Sequence, residues 1–331
     1  MSVQVQGHDQ DVLSKLKIRD AMHVDYDAVL SLESGRHGYD YLPALYHRWV
    51  DDPAVTLRLA WTEEKVLVAI MVTWTDDSGE TIYLKTFRIS PDWRGRALSI
   101  GLRRLLLTET FKESPKLRTF RTMVDAKAPQ LIKRLGLAVK SKFKVETIFL
   151  QADAESLAAK LEDLQRPIQS TVSTIKSFKN MDMKRMLADE FASKILPERT
   201  VLDDTDPYSF SLPNMKTLEE RKCYILVDRS GPAVRSLSVG GIYATSRGTV
   251  YYFAIHCKDR QLAKSHVVLQ MKHACGKHRG NVTFIVIVTD SSLTEDLASY
   301  CKEAMGLKDL PYGGAHELLE SRSLVWEEKK I

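Results

Sequence analysis

Arg94, Ala97 and Ser99 lie where a loop that follows a predicted strand leads into the first turn of the strongest predicted helix of the chain, in the run Arg94-Gly95-Arg96-Ala97-Leu98-Ser99. The first turn of a helix has backbone N–H groups without partners inside the helix, and its dipole favours negative charge. Small side chains let an anion come close to such a backbone. A strand, a loop with arginine and glycine, and a long helix therefore predict a phosphate site over residues 94–99.

The elements that must position this loop form a hairpin before it and a helix after it. In chain order, the apolar patterning predicts strands over residues 55–62, 66–75 and 81–89, a helix over 96–111, a strand over 117–124, a short helix over 129–135 and a strand over 143–150. Leu98, Leu102 and Leu105 form one stripe of the long helix, which indicates that this helix packs on the sheet.

The charge of the first half is divided between two adjacent segments. Residues 85–144 contain 16 Lys or Arg and four acidic residues, whereas residues 1–84 contain seven Lys or Arg and 14 acidic residues. A positive segment suits a small polyanion such as a nucleotide phosphate, or a nucleic acid, and it could also be a solvated basic face. No nucleic-acid motif accompanies it, so we expect no nucleic-acid partner.

The loop resembles the signature of the GNAT acyl-CoA N-acyltransferase superfamily, which is Arg or Gln, two residues, Gly, one residue, and Gly or Ala after the fourth strand. Arg94, Ala97 and Ser99 fall on the three marked positions. Ala97 and Ser99 depart from the pattern, but both are small, so a ligand can still approach the backbone. The order of the elements, as far as Leu135-Gly136-Leu137, is also that of the superfamily.

A second set of residues is similar to the vertebrate histidine N-acetyltransferase family. The matching residues are Asp40-Tyr41-Leu42-Pro43, Tyr46, Trp49, Asp52-Pro53, Asp77, Gly79, Glu80, Thr81, Arg88, Pro91, Arg94 and Gly95. The resemblance covers most of the chain and is densest over residues 38–106. It implies an α/β fold of the α+β kind, in which a GNAT-type mixed twisted sheet flanked by helices is followed by a second, degenerate GNAT-like domain.

The resemblance implies that acetyl-CoA is the co-substrate and that its acetyl group is transferred to an amine, which attacks the thioester directly. Main-chain groups of Phe87 and Ile89 would pair with pantetheine as an added strand would, and a backbone N–H there can hold the thioester oxygen as it becomes an oxyanion. The implied cofactor-binding residues are Phe87, Arg88, Ile89, Arg94, Gly95, Arg96, Ala97, Leu98 and Ser99.

The acceptor is expected to be a small-molecule amine, and the resemblance implies an amino acid such as L-histidine. The acidic segment and Asp40 in its glycine-containing loop suit a cationic acceptor. Tyr41 and Tyr46 either line the acceptor site, where they would stack on an imidazole, or pack a short helix over residues 43–50 onto the sheet. Asp40, Tyr41 and Tyr46 are the predicted substrate-binding residues.

The familiar acid and base of the superfamily are missing. Lys85 occupies a position where members often have Glu, and Met71 occupies a position on the preceding strand where a Glu is expected. The Tyr that many members use as general acid aligns near Ile132. Possible bases are Glu80, Asp40, His37 and His47, each of which could also be structural or on the surface. Lys85 either binds the acceptor's carboxylate or is a surface lysine. The predicted catalytic group is Glu80, Lys85 and His47, and a weak or inactive acyl-CoA-binding protein is the alternative.

The second half repeats the element order of the first. Strand, helix and strand are predicted over 250–256, 260–275 and 282–288, but the segment Cys257–Ala263, which takes the place of the phosphate loop, contains no glycine. We therefore interpret the second half as a degenerate copy. The predicted division is a GNAT N-acetyltransferase domain over 1–150, a linker over 151–179 and the degenerate domain over 180–331.

Composition agrees with an ordinary globular protein. The 331 residues are 44% hydrophobic and 27% charged, and the apolar run Val66–Val72 is far shorter than the ~20 residues that span a membrane. No secretory signal is visible at the start, and the four cysteines form no CxxC pair. We therefore expect reduced thiols, a cytoplasmic location, no membrane partner and no metal.

Overall fold

The computed structural model describes residues 7–32, 38–76, 79–94, 98–126, 138–165, 172–174, 194–228 and 234–322. The described helices are α1 (Gly7–Ser14), α2 (Tyr26–Leu30), α3 (Leu42–Asp51), α4 (Leu98–Glu113), α5 (Ala154–Gln165), α6 (Leu212–Glu220), α7 (Arg260–Cys275) and α8 (Thr294–Glu303). The first described strands are β1 (Lys17–Asp20), β2 (Val55–Trp61), β3 (Leu67–Thr75), β4 (Thr81–Ile89), β5 (Thr119–Asp125), β6 (Lys140–Asp153), β7 (Val172–Thr174) and β8 (Thr200–Asp203). The later strands are β9 (Asp206–Ser209), β10 (Tyr224–Asp228), β11 (Ser236–Thr245), β12 (Gly248–Cys257), β13 (Asn281–Val288), β14 (Lys308–Asp309) and β15 (Gly314–Ser321).

The chain forms two compact units. The first contains Met1–Lys142 and Leu318–Ile331, and the second contains Phe143–Glu317. The division between the units thus lies near residue 142, whereas the predicted first domain ended at residue 150. The segment Leu318–Ile331 belongs to the first unit, although it was predicted to belong to the second domain. Much of the segment predicted as a linker is α5, because Leu157 and Leu161 are buried in the core of the second unit.

The sheet of the first unit has the order β1-β2-β3-β4-β5, followed by the end of β15. The first four strands are antiparallel, and β5 is parallel to β4. A parallel neighbour requires a crossover connection, and α4 supplies it. The strand β3 is buried along nearly its whole length, which explains its continuous apolar sequence.

Each face of this sheet has its own layer of buried side chains. On one face, Leu102 and Leu106 of α4 pack against Ile82 and Leu84 of β4. On the other face lies α3, whose Tyr46 and Trp49 are buried. Pro43 lies in the first turn of α3, where its missing N–H costs nothing. The sheet therefore holds α4 and α3 on opposite sides of β4.

The second unit repeats this arrangement. Its sheet has the order β6-β13-β12-β11-β10-β7, and β12 and β13 are the parallel pair that α7 connects. Four antiparallel strands, a helix and a parallel strand therefore occur in both units, which confirms the predicted duplication of element order. The elements that were not predicted include α1, α6, the hairpin β8–β9 and the short strands β7 and β14.

The cysteines behave as structural residues. They form no disulfides, and Cys257, Cys275 and Cys301 are buried. Burial raises the pKa of Cys257 to about 11 and the pKa of Cys301 to about 12. These thiols therefore stay protonated near neutral pH and are poor nucleophiles.

Candidate active site

Strands β4 and β5 part halfway along β4. Their pairing runs from Thr81 with Thr119 to Leu84 with Thr122, whereas β4 itself continues to Ile89. From Lys85 to Ile89, no residue of β5 pairs with β4. We call this main-chain edge of β4, over Lys85–Ile89, the open edge.

A β-bulge marks the start of the open edge. Val72 of β3 pairs with Thr86 and Thr73 pairs with Leu84, so Lys85 is the extra residue. Such a residue reverses the alternation of side chains along the strand. Leu84 therefore faces α4, and so do Phe87 and Ile89 beyond the bulge.

Lys85 lies on the opposite face from Phe87 and Ile89. Its Nζ is 5.1 Å from the centre of the Tyr41 ring, on the side of the sheet that carries α3. Strand alternation predicts that Lys85 shares a face with Phe87 and Ile89, and this prediction is wrong because the bulge shifts the register by one residue. Lys85 instead shares a face with Arg88, whose Cζ is 6.0 Å from the same ring.

The main-chain groups of Phe87 and Ile89 point toward the open edge. The N–H of Ser90 donates to the carbonyl of Val68 at 2.8 Å, and in an antiparallel ladder every second residue bonds to the partner strand. Arg88 is therefore the next residue bonded to β3, and Phe87 and Ile89 face away from it. In agreement, the Ile89 carbonyl accepts a hydrogen bond of 3.1 Å from Nε of Arg94.

Asp40 is held in place by Arg88. The two carboxylate oxygens accept hydrogen bonds of 2.6 and 2.8 Å from the guanidinium, and Oδ1 also accepts the N–H of Leu42 at 3.0 Å. Arg88 is 6% exposed. The side chain of Arg88, which was predicted to bind the cofactor, thus pairs with Asp40 instead. Asp40 in turn fixes the loop that leads into α3.

Tyr41 and Tyr46 occupy different places. Tyr41 lies beneath Lys85 and packs edge-on against Trp49, with 5.6 Å between ring centres. Tyr46 is fully buried, and its hydroxyl donates to the carbonyl of Met22 at 2.7 Å. Burial raises the pKa of Tyr46 above its ordinary value. Tyr46 therefore packs α3 in the core, and Tyr41 is the tyrosine that adjoins Lys85 and Arg88.

The predicted bases do not meet Lys85. Glu80 is exposed and precedes β4, five residues before Lys85, which is about 16 Å at ~3.3 Å per strand residue. His47 is exposed on α3, and its Nδ1 is 2.8 Å from Nδ1 of His23. Glu80 and His47 thus lie outside β4, the strand that carries Lys85. His37 lies outside the described residues.

The phosphate loop is described only at its two ends. Arg94 precedes it, and Leu98 and Ser99 begin α4. Leu98 is 2% exposed and packs in the core, so it can offer a ligand only its backbone. The predicted cofactor residues Gly95, Arg96 and Ala97 lie outside the described residues, as does Ile132.

A buried carboxylate from the end of the chain joins the first unit. Glu320 is 5% exposed and accepts a hydrogen bond of 2.9 Å from Nε of Arg121, which is paired with Tyr83 across the parallel strands. Burial opposes ionisation of Glu320, yet the hydrogen bond from Arg121 and the charge of Lys142 hold its pKa below the ordinary value. The sequence analysis missed this residue, because a separation of 199 positions leaves no local signal.

In the described residues of the second unit, the parallel pair β12–β13 leaves no open edge of this kind. Strands β12 and β13 pair without interruption from Thr249 with Val282 to Ile255 with Val288. At the start of α7, the carboxylate of Asp259 accepts the N–H groups of Gln261 and Leu262. In the first unit, the equivalent N–H groups at the start of α4 are the ones predicted to bind a phosphate. In the second unit, the Asp259 side chain already accepts hydrogen bonds from these groups.

Comparison with known proteins points to one family. Residues 171–289 match the family model described as "Histidine N-acetyltransferase, C-terminal". Histidine N-acetyltransferase of Oreochromis niloticus is 23% identical over 298 residues, which are 87% of this chain and 88% of that protein. Histidine N-acetyltransferase of Xenopus tropicalis is 26% identical over 301 residues, which are 87% of this chain and 89% of that protein.

Solved structures share the fold. A tandem GNAT protein from the clavulanic acid biosynthesis pathway has a TM-score of 0.52 at 11% identity, covering 94% of this chain and 99% of that one. A proposed acetyltransferase of Pyrococcus horikoshii has a TM-score of 0.53 at 11% identity, covering 95% of this chain and 92% of that one. These likenesses confirm the predicted fold, a GNAT domain followed by a second GNAT-like domain. In the described part of the chain, none of the helices has the length and apolar character that crossing a membrane requires.

Proposed function

We propose that this chain, an N-acetyltransferase by its similarity to named relatives, transfers the acetyl group of acetyl-CoA to the amine of a small molecule, namely an amino acid such as L-histidine. The open edge of β4 carries the proposal. It begins where β5 parts from β4, and it presents main-chain groups of Phe87 and Ile89. Pantetheine has amide groups that can pair with such an edge as a strand would.

The chemistry is a direct transfer. The deprotonated amine nitrogen attacks the thioester carbonyl carbon, the carbon–sulfur bond breaks, and the departing CoA thiolate takes up a proton. A backbone N–H of Phe87 or Ile89 would stabilise the negative oxygen of the intermediate. Glu80 and His47 lie apart from the open edge, so the proton of the amine is expected to leave through water.

The surroundings of Lys85 support an amino acid as the acceptor. Lys85 and Arg88 place two cations against the Tyr41 ring, and one carboxylate, Asp40, is bonded to Arg88. The ammonium of Lys85 can donate to a carboxylate, and it would repel a protonated amine that came close to it. The α-carboxylate of an amino acid meets this requirement, and a diamine does not.

We propose that the second unit is not catalytic. Its parallel strands stay paired, and Asp259 takes the N–H groups at the start of α7. Without an open edge and without available N–H groups, it lacks both features that we assign to the acetyl-CoA site.

A second candidate function is acyl-CoA binding without turnover. It is favoured by the absence of a carboxylate or imidazole at the position of Lys85, where relatives are expected to carry Glu. Calorimetry with acetyl-CoA followed by a thiol-release assay on amino acids and diamines tests both. Binding with thiol release on histidine supports the enzyme, binding without release on any acceptor supports the second candidate, and no binding contradicts both.

A further inference from the structure

Arg103 is a cation in the sheet-facing stripe of α4. It lies between Leu102 and Leu106, which are fully buried, and one turn before the buried Leu107. Its Cζ lies 4.5 Å from the centre of the Phe87 ring. Its Nε is buried and has no hydrogen-bond partner among the described residues. A leucine would be the ordinary residue in such a place.

The charge of Arg103 has no acidic partner in the described part of the chain. The buried arginines Arg58 and Arg88 of the first unit do have one, because Arg58 meets Glu113 and Arg88 meets Asp40. Burial lowers the pKa of Arg103 to about 10, so the guanidinium still carries its charge at neutral pH. Contact with an aromatic ring offsets only part of the cost of burying this charge. A desolvated cation without an anion is costly, which indicates that an anion of a ligand completes it.

The position of Arg103 indicates which ligand this is. Phe87 belongs to the open edge, so the guanidinium lies beside the segment that we assign to acetyl-CoA. Helical side chains lean toward the N-terminus of their helix. Arg103 is five residues from Leu98, which is ~7.5 Å along the helix axis at 1.5 Å per residue, so it leans toward the end of α4 that follows Arg94.

We propose that Arg103 binds a phosphate group of coenzyme A and is a cofactor-binding residue of this protein. The proposal rests on the proposed function, because it takes acetyl-CoA as the ligand. A planar guanidinium can donate two hydrogen bonds to one phosphate. Arg103 would keep its contact with the Phe87 ring and gain a charged contact with the phosphate.

The experiment compares Arg103→Met with wild type by calorimetry, using CoA, 3′-dephospho-CoA and pantetheine in turn. A charged hydrogen bond of about 1.5–3 kcal/mol predicts that the variant binds CoA ~10–100-fold more weakly. Pantetheine has no phosphate, so its affinity should not change. If the variant loses affinity for both CoA and dephospho-CoA, Arg103 binds the diphosphate. If it loses affinity for CoA alone, Arg103 binds the 3′-phosphate. Lys112→Met is the matched control, since Lys112 is exposed on the same helix and bonded to Glu109.

Two results would overturn the assignment of Arg103. One is CoA binding by Arg103→Met within twofold of wild type, and the other is an equal loss for pantetheine, which would indicate a packing role. Should Arg103→Met fail to fold, as judged by circular dichroism, Arg103→Lys is used with the same ligands. This variant keeps the charge and should bind CoA less than tenfold more weakly; a loss as great for pantetheine as for CoA contradicts the proposal. Wild-type protein that binds no CoA would overturn the proposed function itself.

Discussion

Arg88 donates from both terminal nitrogens to both carboxylate oxygens of Asp40, at 2.6 and 2.8 Å, across 48 positions of the chain. The pair joins the strand with the open edge to the loop before α3. The bulge at Lys85 makes this possible, because it turns Arg88 to the face that carries α3 while Phe87 and Ile89 face α4. One extra residue thus separates the side chains that face Tyr41, where we propose that the acceptor binds, from those that pack on α4.

Asp40→Ala should raise the acceptor KM more than the acetyl-CoA KM. The carboxylate holds Arg88 and the α3 loop on the acceptor face, so its loss disturbs that face first. The free energy of unfolding should fall by about 1.5–3 kcal/mol, the contribution of hydrogen bonds to a charged group. Steady-state kinetics and urea unfolding measure both effects, with Asp92→Ala, an exposed residue after β4, as the control. An equal change in the two KM values would mean that Asp40 only holds the loop.

Lys85→Glu should improve diamines relative to amino acids and lower the pH optimum. The substitution replaces a cation beside Tyr41 with a carboxylate, which attracts a protonated amine and can accept its proton. Wild-type turnover should rise with pH toward the pKa of the acceptor amine. The measurement is the pH dependence of kcat/KM on histidine and on a diamine, with Lys116→Glu, an exposed lysine before β5, as the control. If pH profile and acceptor ranking both stay as in wild type, Lys85 is a surface lysine.

Ala97→Glu should abolish acetyl-CoA binding and leave the fold intact. A carboxylate in the loop would meet the phosphates of the ligand, and like charges repel. Arg94→Ala and Arg96→Ala should weaken binding less, since backbone N–H groups still hold the anion. Calorimetry measures the affinity and circular dichroism the fold. Wild-type affinity in Ala97→Glu would mean that acetyl-CoA binds elsewhere.

One acetyl-CoA should bind per chain. Within the residues that the structure describes, the first unit has the open edge, whereas in the second unit β12 and β13 stay paired and Asp259 takes the first N–H groups of α7. Calorimetric stoichiometry gives the number directly, and Asp259→Ala should leave it unchanged because β12 and β13 stay paired. A stoichiometry of two would contradict the assignment of the second unit as non-catalytic.

Acid should destabilise the protein through buried histidines. Burial lowers the pKa of His256 and of His266 to about 3, from 6.5 for an ordinary histidine. The unfolded chain therefore binds more protons than the folded one between pH 6.5 and about 3, and stability falls as pH falls through this range. Each histidine contributes up to ~1.4 kcal/mol per pH unit.

His266→Met should reduce that slope. It should also lower stability at pH 7, because His266 is hydrogen-bonded to Ser236 and Ser238, which are buried. Urea unfolding at several pH values measures the slope, and His278→Gln, on a more exposed histidine, is the control. The explanation fails if His266→Met keeps the wild-type dependence on pH.

The sequence by itself determined the elements around the site and their order. Thr81–Ile89 and Arg260–Cys275 have the predicted bounds, because apolar periodicity is a local property that survives folding. The fold and its duplication also follow from the order of these elements. The phosphate site over residues 94–99 stays a prediction, which rests on the local physical meaning of small and basic residues before a helix.

Tertiary structure decided which side chains meet. The sequence of β4 does not predict the bulge at Lys85, because a bulge depends on how β3 pairs with β4. The bulge places Lys85 on the opposite side of the sheet from the predicted one. The pairs of Arg88 with Asp40 and of Arg121 with Glu320 join distant positions. Arg103 looked like one more residue of a basic segment until its burial against Phe87 was known. Register and long-range pairing are set by the whole core, because a side chain's neighbours depend on elements far away in sequence.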